Sequence, residues 1–224
     1  MCVVVPPTWQ QDIEQRVQAY QAELAPYRTS ESRKEDETTI MTDKERFLKN
    51  LTVVIDTRER ENEHIRNALD AWGIPYETRK LDVGDYAYIY NGKDFTALFA
   101  VERKANINEL WQNITGDRQR FEKEISSMHS MWGGATLILE ECESRYALKN
   151  YSLDDTTMER QGRKVRAIGS MIDSTLQAWA MPNRYNLHVE YARHKGDTAG
   201  LLLGCFFYHY QNYHNMVKPL KKEL

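Results

Sequence analysis

A chain of 224 residues with 41% hydrophobic and 28% charged content has room for one sizeable core plus appendages, and excludes a low-complexity or disulfide-dense polymer. Its net charge of −3 argues against a generally polybasic nucleic-acid binder, although a local basic patch still suffices to hold phosphates. Cys2, Cys142 and Cys205 lack metal-ligand spacing and read as reduced thiols; with no bilayer-spanning stretch and no secretory signal, the expected location is the cytoplasm, or the nucleoid in a bacterial or phage setting.

Ile13, Val17, Tyr20 and Leu24 share one helical face, which predicts a helix over 9–24 ended by Pro26. Residues 29–43 are polar and read as a linker, so 1–43 form an N-terminal arm, 44–215 the main domain and 216–224 a short basic tail. The apolar run 53–55 is a buried strand that stops abruptly at Asp56, Arg58 and Glu59. A helix over 61–72 follows, with Ile65, Ala68, Leu69 and Trp72 on one stripe and Gly73 at its end. Residues 76–81 form a strand leading to the corner Gly84-Asp85. Residues 86–90 and 96–101 then form a hairpin about the Asn91-Gly92 turn.

Asn106-x-x-Glu109 marks a helix start, and Ile107, Leu110, Trp111 and Ile114 continue it. A second amphipathic helix covers 118–132, with Phe121, Ile125, Met128 and Trp132 turned inward. Gly133-Gly134 separates it from a buried strand over 135–140. Residues 143–161 are polar and irregular, long enough for a flap, and run into Arg160, Arg163, Lys164 and Arg166. Cations that open a helix oppose its dipole, so this basic cluster favours an anionic partner such as a DNA backbone. Val165, Ile168, Ile172, Leu176 and Trp179 form the stripe of that helix, and a strand over 186–191 follows. The last helix, 199–210, is apolar on nearly every side and must be buried in the fold or against a partner. The six histidines share no ligand spacing and read as structural.

Folding the hairpin back on itself places Glu102 opposite Asp85, where cross-strand neighbours sit about 5 Å apart. Lys104 shares the face of Glu102, and Arg103 points the other way. Singly, these residues read as solvated charges at strand ends. Asp56, Glu59, Asp85, Glu102 and Lys104 all at strand termini read as a site. Two carboxylates beside a lysine suit Mg2+ or Mn2+ next to a phosphodiester.

The run Ile55-Asp56-Thr57-Arg58-Glu59, then Gly84-Asp85-Tyr86, then Glu102-Arg103-Lys104 resembles the XPF-type nuclease domain. That family carries a GD…ERKxxxD signature, a variant of the PD-(D/E)xK theme of restriction-endonuclease-like enzymes. Gly116-Asp117-Arg118-Gln119-Arg120 and Leu137-Ile138-Leu139-Glu140 extend the resemblance, which covers roughly 51–214. It implies an α/β fold: a mixed central β-sheet flanked by helices on both faces. It further implies metal-dependent hydrolysis of DNA phosphodiesters, with Asp85, Glu102 and Asp56 on the metal and Glu59 as a further carboxylate. Arg103 would add its carbonyl, Lys104 would orient the attacking water, and Arg58 and Arg118 would meet phosphate. The implied substrate is branched DNA, a flap or fork, in repair, recombination or the processing of phage or mobile-element DNA. The implied assembly is a homodimer through the 199–210 helix. One departure stands out: the last Asp of the signature is Asn108 here, so that role is weakened or passes to Glu109. A catalytically inactive DNA-binding or dimerisation module and a sequence-specific restriction-like nuclease remain open alternatives.

Overall fold

Short β-branched and aromatic runs build one sheet, and the amphipathic segments between them cover both of its faces. In the computed structural model, residues 41–153, 158 and 167–220 are described, with the backbone alone at 217–220. The chain divides into two compact units, Met1–Thr42 and Asp43–Leu224, and all the elements named below belong to the second. The helix expected over 9–24, most of the linker, and Arg160, Arg163, Lys164, Val165 and Arg166 lie outside the described residues.

The elements run α1 (Asp43–Lys49), β1 (Leu51–Ile55), α2 (Glu63–Ala71), β2 (Tyr76–Thr78), β3 (Tyr86–Tyr90), β4 (Lys93–Asp94), β5 (Val101–Lys104) and α3 (Ile107–Thr115). Then come α4 (Arg118–His129), β6 (Thr136–Leu139), α5 (Arg145–Lys149), α6 (Ile168–Ala180), β7 (His188–Tyr191) and, after a 3-10 turn at Lys195–Asp197, α7 (Thr198–Leu220). Strand order is β2-β1-β3-β5-β6-β7, with β4 paired to β3. β3 runs antiparallel to both β1 and β5, whereas β1–β2, β5–β6 and β6–β7 are parallel. This is the mixed sheet of the expected α/β class.

Alternation sorts the two faces. Val53, Ile55, Tyr86, Tyr88, Val101 and Ile138 pack with α1, α2 and α7 through Phe47, Ile65, Leu69, Leu202 and Phe206. On the other face Leu137 and Leu139 meet α3, α4 and α6 through Leu110, Phe121, Ile125, Ile172 and Trp179. Arg103 pairs in register with Ile138, so it belongs to the first face; Glu102 and Lys104 pair with Leu137 and Leu139 and belong to the second.

Several elements differ from expectation. The returning strand of the hairpin is broken: Lys93–Asp94 pairs with the end of β3 and Val101 with its start, and Phe95 to Ala100 turns between them. Phe95 and Phe99, four apart, both enter the first core, and the Phe99 N–H donates to the Phe95 carbonyl at 3.0 Å, a helical spacing that an extended strand cannot provide. Trp132 lies beyond the end of α4 and is 41% exposed, not inward. The polar segment after β6 contains α5, started by Ser144, whose hydroxyl accepts from the Ala147 N–H. The last helix runs ten residues further than expected, to Leu220, and buries Ala199, Leu202, Phe206 and His209 within the chain while Tyr208 stands out.

Candidate active site

Because β3 is antiparallel to its neighbours, its start lies at the same sheet edge as the ends of β1, β5 and β6. Asp56, Asp85, Lys104 and Glu140 therefore gather at one edge. Gly84 makes the corner: its φ of +73° is a left-handed conformation, and a Cβ there would sit 2.8 Å from the Ala100 Cβ. From this corner the Asp85 N–H donates to the Val101 carbonyl at 2.9 Å, and Asp85 Oδ2 accepts from the Arg103 N–H at 2.8 Å. The register pairs Tyr86 with Val101, so the next step along the ladder sets Asp85 against Glu102.

Glu102 and Lys104 are both buried, and Lys104 Nζ donates to Glu102 Oε1 at 2.7 Å. Glu102 Oε2 is buried with no hydrogen-bond partner among the described residues. Lys104 also lies 3.7 Å from Glu109 Oε1 and 4.9 Å from the Phe121 ring centre. Burial, reinforced by the charge of Glu102, pushes the Asp85 carboxyl well above the usual range. Burial likewise pushes Glu102 up to about 6, against the pull of Lys104. Burial alone would lower Lys104, but Glu102 and Asp85 reverse this and raise it, so the amine is an ammonium at neutral pH.

On the other face Arg103 spans two carboxylates. One limb donates to Glu59 Oε1 and the other to Glu140 Oε2, each at 2.7 Å. Burial opposes its charge, yet Glu59 and Glu140 raise its pKa further. Glu59 also repels Asp85, which places its charge at the same cluster.

Asp56, expected on the metal, is hydrogen-bonded within the protein. Its Oδ1 accepts from the Arg58 N–H at 2.8 Å and Arg58 Nε at 2.6 Å, and its Oδ2 from the Leu81 N–H at 2.6 Å. Burial raises its pKa, but these donors outweigh that and hold it below the usual range. Both oxygens are engaged with protein donors, and the residue ties the end of β1 to the segment that enters the Gly84 corner. Arg58 is accordingly held on Asp56, with its side chain 57% exposed.

Asn108, where the family signature has Asp, donates from Nδ2 to the Tyr151 hydroxyl at 3.2 Å, and its Oδ1 is buried without a partner among the described residues. Glu109 Oε2 accepts from the Ala105 N–H at 2.7 Å, closing the start of α3, where Asn106 caps the Glu109 N–H. Arg118 lies over the Trp179 ring and 3.4 Å from Glu122. Arg163, Lys164 and Arg166 lie outside the described residues. The structure thus brings Asp85, Glu102 and Lys104 together, with Glu59 and Arg103 behind them and Glu109 alongside. Sequence reading missed the partners of Glu140, namely His64 and Thr198, and the Tyr151 contact, because these meet only through the order of the strands.

Among the described residues no three His, Cys, Asp or Glu side chains are grouped to hold one ion. The donors nonetheless fit Mg2+ or Mn2+, which take one or two carboxylates and complete their shell with water and substrate oxygens. Two like-charged carboxyls adjoin there, and one buried oxygen lacks a hydrogen donor.

The sequence profile of the ERCC4 domain matches residues 55–205, more than half of the chain. The chain belongs to the ERCC4 domain family. A search of curated proteins finds no match. Among solved structures, XPF from Aeropyrum pernix is similar at 15% identity and a TM-score of 0.49, over 75% of this chain and 69% of that one. XPF from Aeropyrum pernix in complex with DNA is similar at 14% identity and a TM-score of 0.46, over 72% and 66% respectively. The profile spans every motif of this ERCC4 domain, from the Ile55 end of β1 into the first half of α7.

Proposed function

We propose that this ERCC4 domain is a Mg2+- or Mn2+-dependent endodeoxyribonuclease. The observation that carries the reading is the pair of half-buried Asp85 and buried Glu102, with Glu102 Oε2 lacking a partner, beside a charged Lys104. Asp85 and Glu102 would hold the cation, with the Arg103 carbonyl as a further oxygen. The cation would activate water and stabilise the leaving oxygen. Lys104, kept protonated by Glu102, acts as a positioner of water and phosphate and not as a base. Glu59 adds negative charge behind Asp85, and Asp56 fixes the corner that presents it. Glu109, 3.7 Å from Lys104, supplies the charge that Asn108 lacks. Arg58 and Arg118, both partly exposed, meet the DNA backbone, joined by Arg163, Lys164 and Arg166.

The substrate we infer is branched DNA in repair, recombination or mobile-element processing, cut by a homodimer formed through α7. Exposed Tyr208 and Met216 supply apolar surface on that helix. Among the described residues no helix is long and apolar enough to cross a membrane, and we place the activity in the cytoplasm or on the nucleoid. Labelled flap, fork, duplex and single-stranded DNAs, incubated with wild type and Asp85→Asn in Mg2+ or Mn2+, test the assignment. Metal-dependent cutting of flap or fork by wild type alone is expected. Binding without any metal-dependent cutting would identify an inactive DNA-binding module, and cutting of plain duplex at one sequence a restriction-like enzyme.

A further inference from the structure

Glu140 is wholly buried at the end of β6, yet it takes three donors from three different elements. Arg103 Nη1 donates to Oε2, Thr198 Oγ1 donates to Oε1, and His64 Nε2 lies against Oε1, each at 2.7 Å. The guanidinium of Arg103 is therefore shared: Glu140 holds one limb and Glu59 Oε1 the other. Glu59, Arg103 and Glu140 together carry one net negative charge, and Glu59 is hydrogen-bonded to Arg103 through Oε1 alone.

A buried guanidinium that loses one carboxylate turns its fork onto the other, since two parallel bonds to one carboxylate are its preferred geometry. That rearrangement would cover both oxygens of Glu59 and leave the cluster neutral. Asp85, on which the charge of Glu59 acts, would then lose much of that field, in a setting screened far less than water.

We propose that Glu140 is a positioning residue for the cation site: by restraining Arg103 it leaves the charge of Glu59 only partly offset where it acts on Asp85, and so sets the affinity for the divalent ion. His64 and Thr198 hold Glu140 in place and tie this function to α2 and to the first residue of α7. The inference rests on the metal-dependent reading above.

Mn2+ binding to the full chain without DNA, followed by calorimetry, separates the two. Wild type is expected to bind and Asp85→Asn to fail. Glu140→Gln, checked for folding by circular dichroism, is expected to bind about tenfold more weakly, the lower end of the cost of losing a partner behind a metal ligand. Adding Arg103→Met to Glu140→Gln is expected to restore binding to within about threefold of wild type, a rescue that a packing defect would not show. If wild type takes up no Mn2+, both readings fall. If wild type binds and folded Glu140→Gln binds equally well, or if the double variant stays as weak as Glu140→Gln, only the role of Glu140 falls. Should Glu140→Gln not fold, Arg103→Met is compared with the double variant. The two are expected to agree within about threefold, and a tenfold gap overturns the proposal.

Discussion

Asp85→Asn is the most informative perturbation, because it separates what the site needs for chemistry from what the fold prefers. In the wild-type protein two carboxylates face each other across the β3–β5 ladder with a single ammonium, Lys104, hydrogen-bonded to one of them. At a cross-strand separation of about 5 Å and an effective dielectric constant of about 20, their repulsion is about 3 kcal/mol. The attraction of Lys104 for Asp85 offsets part of this, leaving a strain of about 1–2 kcal/mol. Asparagine keeps an oxygen to accept from the Arg103 N–H and removes the charge. The variant is therefore expected to be about 1–2 kcal/mol more stable than wild type in urea denaturation with chelator present. Mg2+ should close this gap, since a ligand at ten times its dissociation constant adds about 1.4 kcal/mol to wild type alone. Cleavage by the variant should be lost under all these conditions. A variant less stable than wild type in chelator, or a wild type whose stability ignores Mg2+, would refute the view of this pair as an unneutralised cation site.

Gly84→Ala is expected to destabilise the protein by about 2–4 kcal/mol in the same denaturation assay, combining a left-handed backbone with a Cβ 2.8 Å from Ala100, and to depress cleavage by displacing Asp85. Burial pushes His209 down to about 4, where it stacks on Phe99 with ring centres 4.4 Å apart. The unfolded chain protonates near pH 6.5, so this contribution to stability is intact above that pH and is lost as pH falls towards 4, up to about 3 kcal/mol. The stability difference between His209→Phe and wild type, followed from pH 7 to 4, should change by that amount in favour of the variant. Arg118→Ala should raise KM for DNA several-fold with kcat nearly unchanged, and a loss confined to kcat would remove Arg118 from the DNA-backbone surface.

How far the sequence could be read follows from the range of the forces involved. The meeting of Asp85 with Glu102 was legible because it depends on local rules: a period of two along each strand, a glycine corner, and a register that the intervening segment had to restore. That segment, however, does not return as a strand. Phe95 and Phe99 both seek the core beneath β3, and two aromatic side chains four residues apart reach one core through a helical turn. Alternation could not show this, because each residue taken singly suits a strand. The protein partners of Asp56 were hidden for the opposite reason. A carboxylate at a strand end was visible, but its claimant, the Leu81 N–H, lies 25 residues away. Buried N–H groups must find acceptors, and no local pattern shows which acceptor a distant one will take.

Arg103 depends on strand order in the same way. Within Glu102-Arg103-Lys104, strand alternation sends the two outer side chains to one face and the arginine to the other, so the signature itself separates the proposed cation site from its support. Why the middle position must be so strong a cation appears only when β6 lies parallel to β5 and delivers Glu140 next to it. Three charges on the face of Arg103, two of them buried, are tolerable because every carboxylate in contact with Arg103 is hydrogen-bonded and the guanidinium lies between two anions. A neutral residue at 103 would leave Glu59 without its cation and Glu140 with only its His64 and Thr198 donors, and a neutral residue at 140 would commit the guanidinium to Glu59 alone. The side of the sheet away from the cation is therefore as constrained as the side that would hold it.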